Sequence, residues 1–156
     1  MIKNGKRLIF PALVNPRPEV EVIHCVDPRF QEAFGRFVRE ELELPDSKVI
    51  RVAIAGGPAP LAHPDDMRSR CRYIIRQTMF SCTNFPVKRV VLIGHECCGY
   101  YQVIPQNGYK GCCRENDDLP VAAKMLDLVV PEKVTVEAYY ASFTDKKHTK
   151  ISFKKI

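Results

Sequence analysis

The chain has 156 residues, 46% of them hydrophobic and 27% charged, with a formal net charge of +6 at neutral pH. Those proportions suit a soluble globular protein with a real core, and no apolar run approaches the ~20 residues of a membrane helix. Lys and Arg are scattered rather than blocked and no aromatic RNA-binding stripe accompanies them, so the charge argues for a basic solvated surface, with neither nucleic acid nor membrane as partner.

Residues 1–18 read as an irregular lead-in, with Pro11, Pro16 and Pro18 breaking any apolar stretch. That makes a poor signal peptide, and a cytoplasmic location is expected. In that setting seven cysteines point to metal binding or chemistry before disulfides.

The first strand is expected over residues 20–25. A helix should follow, because Phe30, Ala33, Phe34, Phe37, Val38 and Leu42 recur at three- and four-residue spacing. Asp27 and Pro28 would suit its N-cap and first turn, and Pro45 ends it. A second strand over 48–55 stops at Gly56-Gly57, and the proline-rich stretch 58–64 reads as a loop. A second helix starts near Asp65-Asp66 and puts Met67, Cys71, Ile74, Ile75, Thr78 and Cys82 on one face. The third strand, 89–93, is the most hydrophobic and is expected at the centre of a parallel sheet.

A short helix is expected near 99–104 and a polar loop over 105–117. Asp118 would cap a third helix over 119–130. The tail alternates through Val134, Val136 and Tyr140 and again at Ile151 and Phe153, around a turn at 144–148. Together these elements predict an α/β fold in which residues 1–156 form a single domain. Its core is a mainly parallel sheet of about four strands flanked by helices, with an edge strand or hairpin at the C-terminus. Ligands of such sheets bind outside the carboxyl ends of the strands.

Two stretches fall at those ends: Cys25-Val26-Asp27-Pro28-Arg29 and Gly94-His95-Glu96-Cys97-Cys98-Gly99. Cys25, His95 and Cys98 can supply two thiolates and an imidazole, a zinc ligand set with one position left open. Asp27 could accept a hydrogen bond from a water there, and Arg29 could hold Asp27 in a charge-assisted pair. Taken singly, each has a plainer reading: buried thiols pack at strand ends, Asp27 caps a helix, and Arg29 lies on the surface.

The paired motif resembles the β-class carbonic anhydrases, with Cys-x-Asp-x-Arg as Cys25-Asp27-Arg29 and His-x-x-Cys-Gly as His95-Cys98-Gly99. Ala55-Gly56-Gly57 falls where the family has an Ala-Gly turn. Four features depart from the family: Ala53-Ile54 stand where Arg-Asn is common, Pro28 replaces the usual small polar residue, the first 18 residues offer no helical arm, and the chain is shorter than most. The resemblance implies a zinc lyase with one Zn²⁺ per chain, hydrating carbon dioxide reversibly to bicarbonate by zinc hydroxide. It also implies a homodimer or higher homo-oligomer. Relatives with the same ligands hydrolyse carbonyl sulfide or carbon disulfide, and a zinc-stabilised binding protein without catalysis is the remaining alternative. The family also leaves open whether Asp27 ligates zinc directly in a resting state.

Other residues have weaker patterns. His24 alternates to the opposite strand face from Cys25 and is not expected as a ligand. His63 could relay protons, since imidazole titrates near neutrality, although a lone loop histidine is more often exposed. Cys97 reads as packing, Cys71 and Cys82 as core, and His148 as surface. Tyr100 and Tyr101 either line a pocket or pack. Gly56, Gly57 and Gly99 would permit close backbone approach. Cys112-Cys113 chelate awkwardly as neighbours and read as a loop feature, with a metal or redox role left open.

Overall fold

In the computed structural model, which describes residues 9–102 and 114–156, five strands form one sheet. They are β1 (Val20–His24), β2 (Val49–Ala53), β3 (Arg89–His95), β4 (Thr135–Phe143) and β5 (Ile151–Lys155), in the order β2-β1-β3-β4-β5. The first four run parallel, and β5 returns antiparallel on β4 as the expected C-terminal hairpin. β3 is central and buried from Val90 to His95, which is why it reads as a continuous apolar run.

Alternation along the strands splits the core into two layers. Ile23, Val90 and Leu92 face α3 (Arg68–Asn84) and α4 (Arg114–Asp127) in one cluster with Cys71, Ile74, Leu119 and Leu126. Val20, Val22, Val91 and Ile93 face the other way, against Phe30, Phe34, Phe37 and Val38. Phe30 and Phe34 are fully or almost fully buried, each stabilising by about 1.5–3 kcal/mol relative to exposure. Among the described residues no helix is long and apolar enough to cross a membrane.

Several local expectations change. The first helix is short, α1 (Gln31–Arg36), and continues as a wider π-helical turn over Phe37–Glu41. Leu42 N–H donates to the Phe37 carbonyl at 3.1 Å, five residues back. Asp27 does not cap it: Phe30 holds that position without a side-chain bond, because Arg29 occupies the Asp27 carboxylate. The stretch read as a proline loop contains a helical turn, α2 (Ala59–Ala62), with Pro58 as N-cap and Pro60 inside the first turn. Proline is tolerated there because first-turn N–H groups have no helical partner in any case.

α4 begins at Arg114, so Asp118 lies inside the helix and is not its cap. The buried stripe Glu115, Asp118, Leu119, Ala122 and Leu126 shows why: its spacing runs back past Asp118 into the preceding turn. Pro120 sits within the helix at the loss of one backbone bond. Cys112-Cys113 and most of the loop expected over 105–117 lie outside the described residues.

Candidate metal centre

β1 and β3 are parallel neighbours in a register that pairs His24 with Ile93. Cys25 therefore leaves β1 beside Gly94, and His95 closes β3 one residue further on. Past His95 the chain turns sharply at Cys97, whose φ of 53° is left-handed, a conformation costly for a residue with a Cβ. The turn returns Cys98 toward Cys25. The donor atoms of Cys25, His95 and Cys98 all lie within 4.8 Å of one another, and all three residues are buried.

The two sulfurs stand 3.7 Å apart. Their contact draws the Cys25 thiol down to about 4, with His95 and nearby backbone N–H groups assisting. The same contact, with burial, pushes the Cys98 thiol up. His95 Nδ1–H donates to the Glu96 carbonyl at 3.0 Å, which fixes the tautomer and leaves Nε2 as the acceptor. That Nε2 is buried and has no hydrogen-bond partner among the described residues. Phe30 packs its ring 4.3 Å from the imidazole centroid and holds its plane. Two thiols and an orphaned imidazole nitrogen suit zinc.

Asp27 stands beside this cluster, paired with Arg29. Arg29 Nε donates to Oδ1 at 3.0 Å and Nη2 to Oδ2 at 2.7 Å, while the Arg29 backbone N–H also reaches Oδ1 at 3.0 Å. These bonds hold the Asp27 carboxyl below its usual range, with the Arg29 side chain the largest cause. Nη2 reaches on to the Cys97 carbonyl at 2.9 Å, so one guanidinium ties both motifs together.

No protein-family model matches the sequence, and no curated protein matches it. Among solved structures, the β-carbonic anhydrase isoform I of the protozoan Trichomonas vaginalis superposes with a TM-score of 0.61 at 13% identity, covering 94% of this chain and 87% of that one. The fold is that of a β-carbonic anhydrase. Two fungal β-carbonic anhydrases align less well. CafA of Aspergillus fumigatus gives a TM-score of 0.47 at 18% identity, over 90% of this chain and 76% of that one. One of two tetrameric enzymes from Sordaria macrospora gives 0.46 at 14% identity, over 90% and 81%.

Within this β-carbonic anhydrase fold, several supporting residues have no local sequence signal. Glu115 on α4, itself buried, accepts the Cys98 backbone N–H at 3.0 Å. Burial pushes its carboxyl up, although that bond works against the rise. Gln31 Nε2 donates to the carbonyls of Cys25 at 2.9 Å and Asp27 at 2.7 Å, clamping the first motif. Glu96 accepts the Phe143 N–H at 2.9 Å and anchors the second motif to β4. Glu115 and Glu96 make these bonds across long stretches of chain, whereas Gln31 bonds carbonyls only four and six residues before it.

The glycine expectation divides. Gly57 has φ of 54°, and a Cβ there would meet the Cys25 nitrogen at 3.0 Å; Gly56, with φ of 87°, packs under the Tyr100 ring. Gly99 has open space around it, so no close approach explains it. His24 lies outside the cluster, its Nδ1–H donating to the Cys25 carbonyl at 2.9 Å. Cys97 also stays outside it, Cys71 is buried, and Cys82 is half-buried. His148 is exposed, stacked on Phe143 at 4.3 Å. Tyr100 packs against Arg70, while Tyr101 lines a cavity beside the cluster. His63 is not the free loop histidine expected: its Nε2 lies 2.6 Å from Asp118 Oδ2.

Proposed function

We propose that this chain binds one zinc ion through Cys25, His95 and Cys98 and hydrates carbon dioxide reversibly to bicarbonate. The observation behind this reading is the buried three-donor cluster with its orphaned His95 Nε2. When bound, zinc lowers the pKa of a water to about 7 and so makes a nucleophile available at neutral pH.

The chain's own residues do the aiming. Asp27, kept ionised by Arg29, can only accept hydrogen bonds. A water beside it must therefore point a proton at the carboxylate, which leaves a lone pair free to face the carbon of the substrate. Arg29 holds that acceptor in place with paired bonds. Binding of Asp27 to Arg29, not to the metal cluster, is the arrangement that leaves the fourth position open. Carbon dioxide, water and bicarbonate balance with the release of one proton, which must leave the site.

Self-association as a homodimer or larger homo-oligomer belongs to the same proposal. Ile9, Phe10, Leu13 and Val14 are 85%, 77%, 63% and 86% exposed, apolar surface that a second copy could cover. Light scattering on the purified protein measures that state.

Stopped-flow carbon dioxide hydration near pH ~8.5, on protein with zinc content measured, tests the activity. Catalysis that depends on zinc and falls in Asp27→Ala supports the reading. A zinc-loaded protein that hydrolyses carbonyl sulfide or carbon disulfide, and leaves carbon dioxide untouched, overturns the substrate. Absence of all three activities leaves a zinc-binding protein without this catalysis.

A further inference from the structure

At the opposite end of the sheet from the donor cluster, Val20 and Arg89 open β1 and β3 and line a solvent-open cavity of about 540 Å³. That volume lies within the range of ~300–1,000 Å³ for small-molecule sites. Its apolar wall is Val20, itself buried, with Leu44 and Pro45 from the segment after the first helix. Leu44 packs on the core layer that holds Phe37 and Val38, so the wall is anchored from behind.

Unusual backbone shapes that wall. The π-helical turn Phe37–Glu41 runs on to Glu43, whose φ of 53° is left-handed, and Leu44 N–H then returns to the Val38 carbonyl at 3.1 Å. Turns of the π type collect at functional sites, and a left-handed residue with a Cβ carries a cost that its surroundings must hold. Three cations, Lys48, Lys88 and Arg89, border the cavity against two carboxylates, Glu19 and Glu43. Glu19 accepts from both lysines, so a carboxylate already fits between them. Each ammonium has three N–H donors, of which Glu19 takes one apiece. Among the described residues Arg89 meets an acid only at 3.7 Å, Nη1 to Glu137, beyond hydrogen-bond range. Its guanidinium and the spare lysine donors are left for solvent or a ligand.

We propose that this cavity binds a small organic carboxylate with an apolar body, at a site separate from the metal centre. The lining sets both halves of that ligand. Its carboxylate accepts from Arg89, whose planar fork matches two oxygens, and from the spare donors of Lys88. Its body lies on Val20, Leu44 and Pro45 and leaves water there, which favours binding in proportion to the apolar area covered. A neutral apolar molecule would leave the cations without an acceptor, and a bare inorganic anion would leave the apolar wall wet. The site involves no covalent step and stands whether or not the chain hydrates carbon dioxide.

The test titrates full-length, nitrogen-15-labelled protein with hexanoate, using hexanol as the uncharged probe and acetate as the probe without a body. Hexanoate should bind with a dissociation constant of about 1 mM or tighter. It should shift the amides of Val20, Glu43, Leu44 and Lys88 and leave those of Cys25 and Cys98 in place. Hexanol and acetate should each bind about fivefold or more weakly. The Lys88 side chain is 72% exposed, so Lys88→Glu keeps the fold, and it should lose about fivefold or more in affinity for hexanoate. Leu44→Asp, which charges the apolar wall, should abolish the shifts. The inference is overturned if hexanoate moves no cavity amide, if hexanol or acetate binds as tightly, or if Lys88→Glu binds hexanoate unchanged. Shifts confined to Cys25, His95 and Cys98 place hexanoate at the metal centre and overturn it as well. Each of these outcomes leaves the hydration reading untouched.

Discussion

Glu115 holds Cys98 through a single bond, its Oε1 accepting the cysteine's backbone N–H at 3.0 Å. Through it α4 fixes the turn that presents a candidate metal ligand. Removing such an outer-shell partner from a metal site typically costs 10–100-fold in affinity. Glu115→Ala should weaken zinc binding by about that factor, while Glu115→Gln, which keeps a carbonyl acceptor, should retain more of it. Competition with a chromogenic chelator measures both, and equal affinity in all three proteins would remove α4 from any role in the site.

The donor cluster predicts its own dissection. Native protein should contain one zinc per chain, and Cys25→Ser, His95→Ala or Cys98→Ser should each leave the ion weakly held and lost on dialysis. Elemental analysis reads the stoichiometry directly. Full zinc in Cys98→Ser would move the site elsewhere in the chain.

Asp27 and Arg29 should separate binding from catalysis. Asp27→Asn and Arg29→Ala are expected to retain zinc and lose about 10²–10⁴ in kcat/KM, the range for a positioned proton acceptor. Arg29→Lys should recover little, because a point charge cannot reproduce the paired bonds of the guanidinium. The comparison of metal content with hydration rate decides it.

Gly57 is the position where backbone freedom is most clearly required. It combines a φ of 54° with a Cβ position 3.0 Å from the Cys25 nitrogen, an atom of the backbone that cannot yield like a side chain. Gly57→Ala should cost about 1–3 kcal/mol in urea unfolding and weaken zinc binding with it. Gly99→Ala, which meets open space, should do neither.

Glu21 on β1 is fully buried, its carboxylate accepting from Thr78, and burial raises its pKa. A carboxyl raised in the folded state favours folding below its unfolded pKa, near ~4.3, and the stability is lost as pH climbs through the folded value. Glu21→Gln removes that titration. The variant should gain on the native protein as pH climbs above the unfolded value and through the raised folded one. Parallel denaturation curves across that range would count against the assignment.

The sequence alone carried the cluster of candidate metal donors and the main strands, because both follow from local physics. β-branched runs must become buried strands, and chemistry-bearing residues just past two such runs must meet once those strands lie side by side. The C-terminal hairpin was visible in the same way. The first helix spans the expected residues but widens into a π-helical turn over Phe37–Glu41; its cap was misplaced, because Asp27 read both as a cap and as the partner of Arg29, and the second role prevailed. The helical turn at Ala59–Ala62 was hidden by prolines that break helices inside but suit their first turn.

Only the tertiary structure placed Glu115, Gln31 and Glu96 around the ligands and joined His63 to Asp118. The His63–Asp118 contact spans 55 residues, and it and the Glu115 bond to Cys98 depend on how α2 and α4 pack against the sheet. Local periodicity fixes which face of an element is buried, but not which polar residue on that face will meet a partner from elsewhere. That choice belongs to long-range packing, where a buried polar group must find its partner or lose stability. Cys25, His95 and Cys98 were therefore readable from the sequence, and the groups that orient and serve them were not.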